Sequence, residues 1–225
     1  MNKFDFNVAN WNRAEHVKYR EICLIDAYYK KYGVIKIPKD RQYWTLCGNH
    51  VLDGKALKHA ELPSLLKAQL LTQPQFWGVD DSQDIIDRAA QMYPKANWIC
   101  DEFTQAVRTA LNTNRFKPAI VHLDTTSSSQ IAVDMLRKTM FYVELSGVER
   151  CMVVIDIIYK HWIRQCKDTV DQILRKLADD TTNRRERWEL VLSGGKKRPS
   201  PDYRFVSRQS EMIAFTLFYN SDGIG

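Results

Sequence analysis

The chain has 225 residues, of which 44% are hydrophobic and 27% charged. This balance excludes a disordered or fibrous polymer and suffices for one sizeable core. No apolar run approaches the thickness of a bilayer, and Met1-Asn2-Lys3-Phe4-Asp5 lacks a secretory leader's basic-then-apolar pattern, so no membrane association and a cytoplasmic location are expected. The formal net charge of +6 is concentrated: residues 160–208 hold 13 Lys and Arg against 7 Asp and Glu, and the rest of the chain holds 20 of each.

Residues 1–11 are polar and aromatic and read as an arm. Val17, Ile22, Ile25 and Tyr29 then recur at helical spacing, which predicts a helix over 12–32. Asn12 with Glu15 would cap its start and Gly33 would stop it. We therefore divide the chain into an arm and helix at 1–38 and a main domain at 39–225. In that domain, strands are expected at 42–47, 75–80, 97–100, 118–123 and 151–159. The intervening helices fall at 54–70 (bent near Pro63), 82–92 (capped by Ser82), 104–112 and 128–142. The last of the five strands is a near-continuous apolar run, as in a parallel strand buried on both faces.

A helix follows at 164–179, with Val170, Ile173, Leu174 and Leu177 on one face. Trp188–Leu192 fits either a helix end or a short strand. Residues 193–201 form a basic loop rich in Gly, Pro and Ser. Segments 203–208 and 212–219 then read as a hairpin. The fold class is α/β: a Rossmann-like, mainly parallel seven-stranded sheet with an antiparallel C-terminal hairpin, flanked by helices. The five cysteines (Cys23, Cys47, Cys100, Cys151, Cys166) show no CxxC spacing and suggest neither a disulfide framework nor structural zinc.

Three strands end on a chemically distinctive corner. Tyr43-Trp44-Thr45-Leu46 runs into Cys47-Gly48-Asn49, Phe76-Trp77-Gly78-Val79 into Asp80-Asp81-Ser82, and Ala119-Ile120-Val121-His122-Leu123 into Asp124-Thr125-Thr126. Open parallel sheets bind ligands at such carboxyl ends, and an acid after the second strand is a common ribose anchor. A nucleotide-like cofactor follows.

The order of elements, with these corners, resembles a class I S-adenosylmethionine-dependent methyltransferase over roughly residues 40–220. The resemblance implies S-adenosylmethionine as cofactor. Its glycine turn after the first strand maps to Cys47-Gly48-Asn49, where the absence of a Cβ on Gly48 lets backbone approach the ligand. This turn has one glycine rather than several, and no acid precedes it. By the same resemblance Asp80, with Asp81 beside it, accepts from the ribose hydroxyls, a task suited to an acceptor-only carboxylate. Asp81 and Ser82 also fit a helix start. Asp101 would meet the adenine amino group and Phe103 its ring, although Asp101-Glu102 equally fits a helix start and Phe103 a core position. Asp124 would bind the methionine ammonium group or orient the methyl acceptor, making it the catalytic candidate. Glu61, in the first crossover, would reach the methionine moiety if buried; a solvated glutamate on a bent helix is the other reading.

The family's amine-methylating string of an acid or amide, two prolines and an aromatic is replaced by Asp124-Thr125-Thr126-Ser127. The basic segment offers Lys160, Arg164, Arg184, Arg185, Arg187, Lys196, Lys197 and Arg198, interleaved with Trp162 and Trp188. Nucleic acid is the expected substrate class. A solvated basic surface, with the tryptophans in the core, is the plainer reading. A catalytically inactive methyltransferase-like scaffold that binds nucleic acid or a protein partner is the alternative function. Other nucleotide sites fit less well. Gly48–Lys55 is one residue too long for a phosphate-binding loop and lacks its Ser/Thr, no G-x-G-x-x-G occurs, and an Asp-x-Ser-x-Ser metal cluster would sit after the fourth strand instead of the first.

Overall fold

The computed structural model describes residues 28, 30–34, 36–47, 61–125, 129–158, 187–192, 204–206 and 211–223. They form eight strands: β1 (Gln42–Leu46), β2 (Phe76–Asp80), β3 (Asn97–Cys100), β4 (Pro118–Asp124), β5 (Arg150–Ile158), β6 (Trp188–Leu192), β7 (Arg204–Val206) and β8 (Glu211–Asn220). Four α-helices lie between them: α1 (Glu61–Lys67), α2 (Gln83–Met92), α3 (Phe103–Asn112) and α4 (Ser129–Leu145). The expected helix 164–179 and the loop 193–201 lie outside the described residues.

The strands make one sheet in the order β3-β2-β1-β4-β5-β8-β6, with β7 also on β8. β1 to β5 are mutually parallel, and β8 runs antiparallel to β5, β6 and β7. The mainly parallel sheet and terminal hairpin are as expected. The strand count is corrected from seven to eight, because Trp188–Leu192 is a strand. One edge of β8 is taken by β5, so β7 and β6 share the other, pairing with Glu211–Ile213 and Phe215–Tyr219 in succession.

Each face of the sheet buries a separate apolar cluster. On one face Trp44, Val79, Val121, Leu123, Val153, Ile155 and Leu217 pack with Phe103, Ala106, Val107 and Ala110 of α3 and with Ala132, Leu136, Met140 and Val143 of α4. On the other, Tyr43, Phe76, Ile120, Met152, Val154 and Phe218 pack with Tyr28, Ile37, Leu71 and the α1 residues Leu62 and Leu65. Strand alternation sorts these two sets, since neighbours along a strand point to opposite faces.

Tyr28, Lys30, Lys31 and Tyr32 are helical, and Gly33 stops this helix in the left-handed region at φ 70°. The start expected at Asn12 lies outside the described residues. The Tyr32 hydroxyl donates to the Tyr219 carbonyl at 2.7 Å, which ties the helix end to β8. No helix among the described residues is long and apolar enough to cross a membrane.

Candidate active site at the carboxyl edge

The chain lays down β1, β2 and β3 outward in one direction, then returns to place β4 on the other side of β1. The sheet therefore reverses direction between β1 and β4. Such a reversal opens a crevice at the strands' carboxyl ends. Cys47, Asp80, His122, Asp124 and Thr125 all lie at or near that edge.

Glu61, from α1, is buried at 3% exposure, which removes the reading of a solvated glutamate. Its Oε1 accepts a short hydrogen bond from the Tyr43 hydroxyl and lies 3.0 Å from His122 Nδ1. Its Oε2 accepts from Thr45 Oγ1 at 3.2 Å. The Tyr43 hydroxyl is also 3.3 Å from His122 Nδ1. A carboxylate oxygen facing Nδ1 requires the proton on that nitrogen, so the imidazole donates. Tyr43 and Thr45 alternate along β1, and Thr45 is the register partner of His122. One carboxylate thus joins α1, β1 and β4 directly beneath the carboxyl edge.

Asp80 ends β2 and is half-buried. Its Oδ1 accepts from the Ser82 backbone N–H at 2.9 Å, the local turn by which an aspartate braces the residue two ahead. Burial pushes its carboxyl above the ordinary range; the Ser82 bond opposes this and the neighbouring Asp81 charge adds to it. Ser82 is the N-cap of α2, as expected, but makes no side-chain capping bond; its own N–H is what Asp80 holds.

Cys47 is buried between these acids. Burial, followed by the charges of Asp80 and Glu61, drives its thiol far above the usual range, so it stays protonated. Its N–H donates to the Val79 carbonyl at 2.7 Å. Next to it, Gly78 faces the Trp98 ring so closely that an added Cβ would sit 2.6 Å from Trp98 Cε3.

Asp81 and Asp101 are exposed, and Asp101 Oδ1 accepts from the Glu102 N–H at 2.7 Å. Glu102 caps α3, accepting from the N–H groups of Thr104 and Gln105. Burial alone would raise its carboxyl; the Thr104 and Gln105 bonds and the Lys138 charge outweigh that and hold it below the usual range. Phe103 is buried in the core beneath α3. Asp124 ends β4 as the register partner of Asp156 on β5.

Gly48 and Asn49 lie outside the described residues, as do Lys160, Trp162, Arg164, Arg184, Arg185, Lys196, Lys197 and Arg198. Trp188 is no open stacking platform: it is buried against Tyr219, and its Nε1 donates to Glu144 at 2.9 Å. Sequence reasoning missed Tyr43, Thr45 and His122. The available signal was a polar residue at 122, two before Asp124 and hence on the same face of an otherwise apolar strand. Among the described residues no group of three or more His, Cys, Asp or Glu side chains is placed to hold a metal ion.

No protein-family model matches the sequence, and no curated protein aligns with it significantly. Solved structures do superpose. The plantazolicin methyltransferase BpumL, in complex with a pentazolic desmethylPZN analog and SAH, matches with a TM-score of 0.54 at 12% identity, covering 97% of this chain and 86% of its own. The plantazolicin methyltransferase BamL, with a triazolic analog and SAH, gives 0.54 at 9% identity, covering 95% and 86%. Strand order, the antiparallel β8 and these superpositions give the chain the Rossmann-like fold of the class I S-adenosylmethionine-dependent methyltransferases.

Proposed function

We propose that the chain is an S-adenosylmethionine-dependent methyltransferase whose methyl acceptor is a nucleic acid. The observation that carries the cofactor is Asp80. It stands at the carboxyl end of β2, beside the sheet reversal, with Oδ1 occupied by the Ser82 amide and with no hydrogen bond to Oδ2 from the described residues. That oxygen suits a ribose diol. Gly48 and Asn49 would line the amino-acid portion beside Cys47, and Asp101 would meet the adenine amino group. Asp81 is exposed next to Asp80 and adds negative potential at the same corner. Glu61 supports the pocket from below, since its carboxylate is already committed to Tyr43, Thr45 and His122.

When bound, the cofactor supplies an electrophilic methyl group on a sulfonium. The residues of this chain need to hold donor and acceptor in line, and proximity supplies much of the acceleration. Asp124, at the end of β4, would orient the acceptor.

Calorimetry with S-adenosylmethionine tests this reading on the parent and on Asp80→Ala. Micromolar binding is expected in the parent, weakened at least about tenfold in the variant, as for a lost charge-assisted hydrogen bond. A folded parent that binds no cofactor would instead leave the inactive-scaffold reading, which the single-glycine turn at Gly48 and the string at 124–127 allow.

Nucleic acid as acceptor rests on the excess of Lys and Arg at 160–208. Lys160, Arg164, Arg184, Arg185, Lys196, Lys197 and Arg198 would neutralise phosphates. Binding to RNA or DNA should then fall steeply with salt, log K declining linearly with log salt concentration. Salt-insensitive binding, or none, would point to a small-molecule or protein acceptor.

A further inference from the structure

We propose that the outer face of α4 is a two-fold interface between copies of this chain. The inner face of α4 is already used: Ala132, Val133, Leu136, Met140 and Val143 are buried. The opposite face carries Ile131, Asp134, Lys138, Phe141 and Leu145, all exposed. Their spacing alternates three and four, which makes one straight stripe along the helix. The outer face of a helix on a sheet is ordinarily polar. Here three of five positions are large and apolar, with Ile131 54% exposed, Phe141 45% and Leu145 57%.

The charges choose the occupant. Two copies of α4 laid antiparallel, with the two-fold axis level with residue 136, bring Ile131 opposite the partner's Phe141 and Asp134 opposite the partner's Lys138. Each pair occurs twice, as a closed two-fold interface requires. Asp134 and Lys138 are also four apart on their own helix, so the four charges can form one alternating ring. Competing registers lose this match. An axis level with residue 138 sets Lys138 against the partner's Lys138. Parallel helices set Asp134 against the partner's Asp134. The axis near residue 136 pairs Ile131 with Phe141 and both charges at once, and leaves Leu145 at the end of the stripe, beyond the partner helix's start at Ser129. A single helix stripe is smaller than a standard interface, so a reversible dimer of modest affinity is expected.

Analytical ultracentrifugation of the full chain, from micromolar to submillimolar concentration, tests this. The parent should show a reversible monomer–dimer equilibrium. Phe141→Asp should raise the dissociation constant at least about tenfold, as for a central aromatic anchor. Asp134→Lys alone should weaken the dimer and Lys138→Asp alone likewise. The double exchange D134K/K138D should restore it. A mixture of the two single variants should form the heterodimer. All substitutions are at exposed helix positions, and thermal melts confirm that each variant is folded. A parent that stays monomeric throughout overturns the proposal, and so does a dimer indifferent to Phe141 and to the charge exchange. These outcomes are independent of cofactor binding.

Discussion

The two faces of the sheet are built from the same strands but are packed by different chemistry. Beneath α3 and α4 the strands contribute Trp44, Val79, Val121, Leu123, Val153, Ile155 and Leu217, all apolar. Beneath α1 the same strands add Thr45 and His122, also buried, around Glu61. Burying polar groups gains nothing over well-packed hydrocarbon, and leaving one unpaired is costly. A buried carboxylate with donors from two strands is therefore best understood by position: it lies directly under the carboxyl edge where the cofactor is proposed to sit. The apolar face holds the fold, and the mixed face also sets the geometry of the crevice.

The largest test of that contrast is Glu61→Ala. It removes the buried carboxylate that Tyr43, Thr45 and His122 share, at a cost of about 3–5 kcal/mol by urea denaturation. Adding His122→Phe should cost much less than the sum of the two single changes, because the groups act as one network. Additive losses would mean that the network is not a unit.

Gly78→Ala ranks next. The new methyl would press on the Trp98 ring, and overpacking of this kind costs about 1–3 kcal/mol. Because Gly78 lies on the mixed face next to Cys47, cofactor affinity should fall as well. A volume change on the apolar face, such as Val153→Ala, should lower stability while leaving affinity intact.

Glu102→Ala removes the cap of α3 and should cost about 1 kcal/mol. The folded carboxyl titrates below its ordinary value, so its contribution is complete above the unfolded pKa. It is lost as pH falls through the lower folded value. The parent and variant stability curves should converge in acid; parallel curves would show that the cap is not the cause.

Asp80 has the opposite sign and the smallest expected effect on stability. Its folded carboxyl titrates above the ordinary range, so the folded state binds this proton more tightly than the unfolded chain. Stability therefore declines as pH rises from the ordinary carboxylate range through the folded value. Asp80→Asn should flatten that slope in pH-dependent melts. Cofactor affinity should move the other way, strengthening as Asp80 ionises.

Local pattern made much of this fold legible. β3 matches its expected span, and β1, β2, β4 and β5 match to within one residue at each end, because short apolar runs between turn residues mark buried strands. β6 was ambiguous because Trp188-Glu189-Leu190-Val191-Leu192 is short, and its partner strand lies more than twenty residues on. At the site, Asp80 was visible from its corner. The link between Glu61 and His122 was not, since it joins residues 61 apart in sequence and has no local signature. At Ser82 the cap position follows from sequence, but its hydroxyl makes no capping bond, and the bond that is formed runs from the Ser82 amide back to the Asp80 carboxylate.

The bond from the Tyr32 hydroxyl to the Tyr219 carbonyl spans 187 residues. On a ribosome adding about 5–20 residues per second, the two partners emerge roughly 10–40 s apart. Through that interval the helix ending at Tyr32 has no β8 to dock on. Phe218, which packs on the same face, arrives equally late. Leu217, its neighbour on β8, completes the other cluster at the same moment, so neither face closes earlier, and a nascent chain stalled before β8 should display apolar residues of both to chaperones.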